Sequence, residues 1–136
     1  MSAVRAIELL RKIRRAAFEG LERTVSEAAE SCAESAREMA PVGTGPRVQP
    51  HLKDSFSCSR ISRGYIAEAR AAVCNTHAAY VEFGTGRRGA DTGSGSNYDP
   101  DWAGMPAQPY MQPAAEACRN RFHADAVQAV RQALGG

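Results

Sequence analysis

Three kinds of residue in this chain have side chains suited to chemistry. His51, His77 and His123 could exchange protons near neutral pH, and Asp54, Glu68 and Glu82 could serve as acids or bases. The histidines are scattered, however, and no serine or cysteine stands in a nucleophile-elbow context. Nothing in the spacing makes the carboxylates converge, so no catalytic residue is expected. Glu82 differs from the other acids because it lies between Val81 and Phe83. Partial burial is expected there, and a buried carboxylate requires a partner such as Arg70 or a cluster of backbone amides.

Cys32, Cys58, Cys74 and Cys118 are far apart in sequence, with no C-x-x-C pair and no nearby pair of histidines. That pattern predicts free, mostly buried thiols rather than a zinc site or a disulfide scaffold. Gly84-Thr85-Gly86-Arg87-Arg88-Gly89 has the letters of a dinucleotide fingerprint, G-x-G-x-x-G. The fingerprint works only where a following helix aims its N-terminus at the pyrophosphate. Ala90 to Gly95 cannot supply that helix, so no cofactor and no metal are expected.

The elements that position these residues are organised around Tyr80-Val81-Glu82-Phe83-Gly84-Thr85 and the proline-stiffened stretch Pro106 to Pro113. Between them runs a segment rich in Gly, Ser, Asp, Asn and Arg, longer than compact domains usually leave without secondary structure. This segment, spanning 86–108 with its flanks, is expected to face a partner. Arg87, Arg88, Tyr98 and the sole tryptophan, Trp102, are its candidate contacts.

Residues 1–40 read as one long helix, because apolar residues from Ile7 through Leu10, Ile13, Ala17, Leu21, Val25, Ala28, Cys32 and Ala36 to Met39 step by three and four. Ser2 is the expected N-cap and Pro41 the stop. Gly20 costs about 1 kcal/mol relative to Ala and is the expected place for a bend. Charge along the helix is segregated: Arg5, Arg11, Lys12, Arg14 and Arg15 precede six glutamates between Glu19 and Glu38. This order opposes the helix macrodipole, which favours anions at the N-terminus. The ordinary account is a solvated face with pairs such as Glu8 with Lys12 and Arg15 with Glu19. The sharper account is a basic helix end, with Arg11, Lys12, Arg14 and Arg15 as candidates, meeting the acidic half of another copy.

A β-hairpin is expected over 52–74. Phe56 and Cys58 alternate with serines, Ser62-Arg63-Gly64 forms the turn, and Tyr65, Ala67, Ala69, Ala71 and Val73 share a face opposite Glu68 and Arg70. Residues 75–85 form a short turn or helix capped near Asn75. Residues 109–134 contain the last helix, starting near Pro113, with Cys118, Phe122, Ala126, Val130 and Leu134 on one side, to be packed on the hairpin.

The 136 residues, 43% of them hydrophobic, suit one α+β domain, with a long N-terminal and a C-terminal helix on a small antiparallel sheet and a long Gly/Ser-rich loop. No apolar run approaches the length of a membrane span, and the charged N-terminus lacks the pattern of a signal peptide, so a cytoplasmic protein is expected. A net charge of +2 is too small by itself to imply nucleic acid.

With its elements in order, the chain resembles the small morphogenesis proteins of tailed siphophages and prophages, which are associated with head-tail joining and tail completion. The resemblance spans nearly the whole chain. It is carried by Ala40-Pro41-Val42-Gly43-Thr44-Gly45, Leu52-Lys53-Asp54-Ser55-Phe56, Ala79 to Thr85 and Pro109-Tyr110-Met111-Gln112-Pro113-Ala114, and its most specific parts are the Pro-x-x-Thr-Gly exit at Pro41 to Gly45 and the run Val81-Glu82-Phe83-Gly84-Thr85. Two segments depart from the pattern: Pro46 to His51, and the long loop after Thr85. The resemblance implies a structural subunit without catalysis, arranged as a homo-oligomeric ring in the neck or at the tail top. Its neighbours would be other neck, connector and tail proteins. It would reside in the host cytoplasm during assembly and then in the virion. A competing reading is a cytoplasmic nucleic-acid-binding module using the basic helix end with Arg87 and Arg88.

Overall fold

The computed structural model describes residues 2–42, 52–63, 66–75, 77–85 and 103–135. Helix α1 spans Ala3–Met39, and the Ser2 hydroxyl accepts from the Arg5 amide at 3.3 Å. The helix stops at Ala40, whose extended backbone (ψ 128°) is the conformation preferred by a residue preceding proline. A short 3₁₀ turn, Leu52–Asp54, buries Leu52 and leads into strand β1, Phe56–Arg63. Strand β2, Ile66–Val73, pairs antiparallel with it, from Phe56 opposite Val73 to Arg63 opposite Ile66. Ser62 and Arg63 therefore belong to the ladder rather than to the expected turn. Tyr65 lies outside the described residues. Ala67, Ala69, Ala71 and Val73 are half-buried while Glu68 and Arg70 are exposed, as the alternation predicts. Helix α2 is Ala78–Phe83, and helix α3 is Met111–Ala133.

The result is an α+β arrangement in which α1 is the central member. Both strands pack on α1, and α3 packs mainly on α1 rather than on the hairpin as expected. Two contacts set the relation of the helices: Gly20 meets Ala129, and the Cys118 thiol approaches the Ser31 hydroxyl at 4.0 Å. As residue numbers rise on one helix they fall on the other, so the pair is antiparallel. Gly20 is not a helix break. A Cβ placed there would lie 3.4 Å from the Ala129 Cβ, so the small residue lets the two backbones approach.

The core is small and lies at one end. Ala36, Ala40, Leu52, Ala78, Tyr110 and Ala114 form it, with Phe56, Val73, Val81 and Met111 packed around them. Tyr110 is the largest fully buried side chain among the described residues. By contrast, Val4, Ile7, Leu9 and Leu10 near the start of α1 are all roughly half exposed or more. Extending the Gly20–Ala129 and Ser31–Cys118 register places Leu134 beside the fifteenth residue of α1. About a dozen residues of α1, roughly 18 Å at 1.5 Å per residue, thus project beyond the end of α3.

Candidate functional site

The most highly constrained part of the molecule is where α2 meets the start of α3. The Asn75 side-chain oxygen accepts from the His77 amide at 2.8 Å, a local turn that starts α2. Helix α2 ends at Gly84, whose φ of 73° favours glycine. Beyond it, Thr85 and Met105 exchange both backbone hydrogen bonds, at 2.8 and 3.0 Å. Gln108 then donates its amide to the Val81 carbonyl at 2.8 Å. These bonds bring the returning chain along α2 and deliver Tyr110 to the core.

There the Glu82 carboxylate accepts three backbone amides. Oε2 takes those of Tyr110 (2.7 Å) and Met111 (2.9 Å), and Oε1 takes that of Gln112 (3.0 Å). A helix leaves its first N–H groups without internal partners, and α3 has no side-chain cap from its own N-cap residue, Tyr110. Pro113, two residues into α3 rather than at its start, has no N–H to satisfy. One carboxylate and one proline thus account for the first turn of α3. The negative charge also sits where the helix dipole favours it. Tyr110 closes the arrangement: its hydroxyl donates to the Ala78 carbonyl at 3.1 Å, and its ring meets Phe56 edge-on at 6.0 Å. Burial, and secondarily the Glu82 charge, raise the Tyr110 phenol above its ordinary pKa.

Of the two partners anticipated for Glu82, the structure contains the amide cluster. Arg70 pairs instead with Glu68 at 3.6 Å on the exposed edge of the hairpin. Read from sequence alone, Glu82 is also an interface candidate beside the loop it precedes, but only 7% of it is exposed and both carboxylate oxygens are engaged within the chain. The outward face of α2 carries Tyr80 and Phe83 instead, which are nearly half exposed. Their i, i+3 spacing, set against buried Ala78 and Glu82, was the available signal for this division.

Arg11, Lys12, Arg14 and Arg15 come together on the projecting part of α1 and, with Phe18, Glu19 and Glu22, line a shallow concavity. All four are exposed. Arg15 approaches Glu19 at 3.8 Å, whereas Glu8 and Lys12 form no ion pair among the described residues. Arg87, Arg88, Tyr98 and Trp102 lie outside the described residues, as do Pro46 to His51.

A second concave surface is an open, mostly apolar groove of about 620 Å³, bounded by α1, α3 and β2. Cys32 and Cys118 lie in it, half-buried, while Cys58 and Cys74 are exposed, so only two of the four thiols follow the expected burial. Burial raises the Cys32 thiol pKa, and the neighbouring Cys118 raises it further. Among the described residues, no group of three or more His, Cys, Asp or Glu is arranged to hold a metal ion. No described helix is long and apolar enough to cross a membrane. Comparison with models of known families, with curated proteins and with solved structures finds no match to this chain.

Proposed function

We propose that this chain is a structural subunit of the neck or tail top of a tailed phage, acting without catalysis and assembling as a ring. It would be held in the host cytoplasm until it joins the virion. The observation that carries this reading is the Glu82 clasp. A run that bears one of the most specific parts of the resemblance to the phage family, Val81 to Thr85, bonds to Pro109 to Ala114, which the resemblance also covers, and the two help build the core. Their residue types are accounted for by scaffolding, with the carboxylate engaged by amides and the tyrosine hydroxyl by a carbonyl.

The rest of the molecule supports a life in contact with partners. Large apolar side chains are exposed on α1, on α2 and at the end of α3, beyond what the small core covers. The loop between Thr85 and Met105 is closed at its base by their paired backbone bonds, so its length can vary without disturbing the clasp. Exposed Arg11, Lys12 and Arg15 favour the alternative of a nucleic-acid-binding module. A true binder neutralising several phosphates loses affinity steeply as salt is added, and tight, sequence-dependent binding that persists at raised salt would overturn the structural-subunit reading in favour of that alternative.

The test is phage assembly in a host lacking this chain, viewed by electron microscopy. Separate heads and tails, rejoined when the intact chain is supplied, are expected. A variant shortened between Gly86 and Trp102 should fold normally but fail to restore joined particles. Normal particle yield without the chain would refute the reading.

A further inference from the structure

We propose that the projecting start of α1 is a docking arm whose occupant is a second copy of this chain. The arm of each copy lies antiparallel in the apolar groove of the other. The argument begins with one stripe. Ala3, Ile7 and Leu10 on the arm continue, at helical spacing, into Val25, Ala28 and Cys32, which form the α1 wall of the groove. Ile7 is 49% and Leu10 65% exposed, so the arm half of the stripe is uncovered in the single chain. On the groove half, the facing residues of β2 are Ala67, Ala69 and Ala71, which leave a shallow wall beside α1. An unfilled seam and an uncovered ridge of the same periodicity are therefore present on one molecule.

Antiparallel pairing is the arrangement that joins them. Setting Ile7 of one copy opposite Ala28 of the other places Leu10 opposite Val25 and Ala3 opposite Cys32, and the reciprocal contacts form by symmetry. The charges then fall into register. Arg11, Arg15 and Glu22 share one flank of the stripe, and this pairing places Glu22 of one copy between Arg11 and Arg15 of the other. Over the whole helix, residues 2–15 carry five cations against one glutamate, and residues 19–38 carry six glutamates against two arginines. Cations at the start of α1 oppose its dipole in a lone chain, and a neighbour's glutamates offset that cost. The contact is separate from the phage reading: it uses neither the clasp nor the loop, and it holds or fails on the purified protein alone.

The experiment is sedimentation equilibrium on the full chain, combined with cross-linking. The native protein should sediment as a dimer. Leu10→Asp places a charge in the seam at a side chain already exposed in the monomer, and should weaken association at least about tenfold while the variant keeps the native circular dichroism of a folded chain. Arg15→Glu and Glu22→Arg should each weaken it, and the double exchange should restore it. In an Ala3→Cys, Cys58→Ser, Cys74→Ser background, mild oxidation by oxidised glutathione should join residue 3 of one copy to Cys32 of the other. The bond forms by thiolate attack on glutathione disulfide and then on the mixed disulfide, with reduced glutathione as leaving group. A native protein that remains monomeric, a Leu10→Asp variant that associates like the native chain, or cross-links elsewhere than Cys32 and its neighbour Cys118 would overturn the proposal.

Discussion

Replacing Glu82 tests the clasp most directly, because its three bonds separate charge, reach and shape. In Glu82→Ala the amides of Tyr110, Met111 and Gln112 lose their acceptor together. A hydrogen bond to a charged group contributes about 1.5–3 kcal/mol net, which for three bonds sets an upper bound of roughly 5–9 kcal/mol. Met111 is only half-buried and Gln112 is exposed, so water can reach part of the vacated site and replace some of that loss. A destabilisation of about 3–4 kcal/mol is expected, the range in which a buried network is broken. For a domain of this size that corresponds to a fall in Tm of roughly 10 °C. Glu82→Gln keeps the shape, and its carbonyl oxygen can occupy the Oε2 position and keep two of the bonds. Its amide group then faces the Gln112 N–H donor to donor, so a loss of about 1.5–2 kcal/mol is expected. Glu82→Asp keeps the charge but shortens the side chain by one carbon, and it should fall between the other two. Thermal and denaturant unfolding measure all three, and amide exchange at residues 110–112 reports whether the start of α3 has opened. The reasoning fails if Gln is as damaging as Ala, or if Ala costs less than about 0.5 kcal/mol, a change ordinary at surface positions.

Gly20→Ala should be tolerated and stabilise the fold by up to about 1 kcal/mol, since the new Cβ reaches only ordinary contact with Ala129, whereas Gly20→Leu should lower Tm by forcing α3 away. The raised phenol of Tyr110 makes stability pH-dependent at the alkaline end: the contribution is fully present below about pH 10, the ordinary tyrosine value, and is lost as pH rises through the higher folded-state value. Tyr110→Phe should flatten that decline in alkaline melts, while lowering stability at neutral pH by roughly 1 kcal/mol through loss of the bond to Ala78. Cys32 in the native chain should react with iodoacetamide more slowly than in the unfolded chain, because burial and Cys118 keep its thiol protonated; equal rates would contradict the groove placement.

How far the sequence discloses this fold depends on whether the signal is local. The stripe along α1 and the alternation along β2 are local periodicities, and both elements appear with boundaries close to those the pattern predicts. The acid between Val81 and Phe83 likewise implies a buried, satisfied carboxylate. What it does not specify is the donor, because the three amides lie 28 to 30 residues further on and an amide carries no side-chain signature. The start of α3 is legible only to within its first turn, for the same reason. Pro113 is a valid first-turn residue at more than one position, and only the Glu82 bonds fix the helix at Met111. The partner of α3 was misjudged because its apolar side fits either a helix or a sheet. Gly20, which reads as a weak point in α1, lies against Ala129 instead, at the contact between the two helices.

The same contrast separates the part of α1 that carries stability from the part that we propose carries interaction. From Cys32 to Ala40 one face of the helix is covered by the 3₁₀ turn, β1 and the clasp, and its small alanines let those neighbours pack closely on it. Toward the N-terminus it first loses the sheet and then α3, until its leucines and isoleucine face solvent. An isolated helical end of about a dozen residues is marginal in water, since nucleation is unfavourable and tertiary packing supplies most helical stability. The rest of α1 supplies the nucleus for this segment, but its uncovered apolar groups gain little until a surface meets them. The arm is therefore the part of α1 that we propose gains most from association, whereas the Glu82 clasp is satisfied within the single chain.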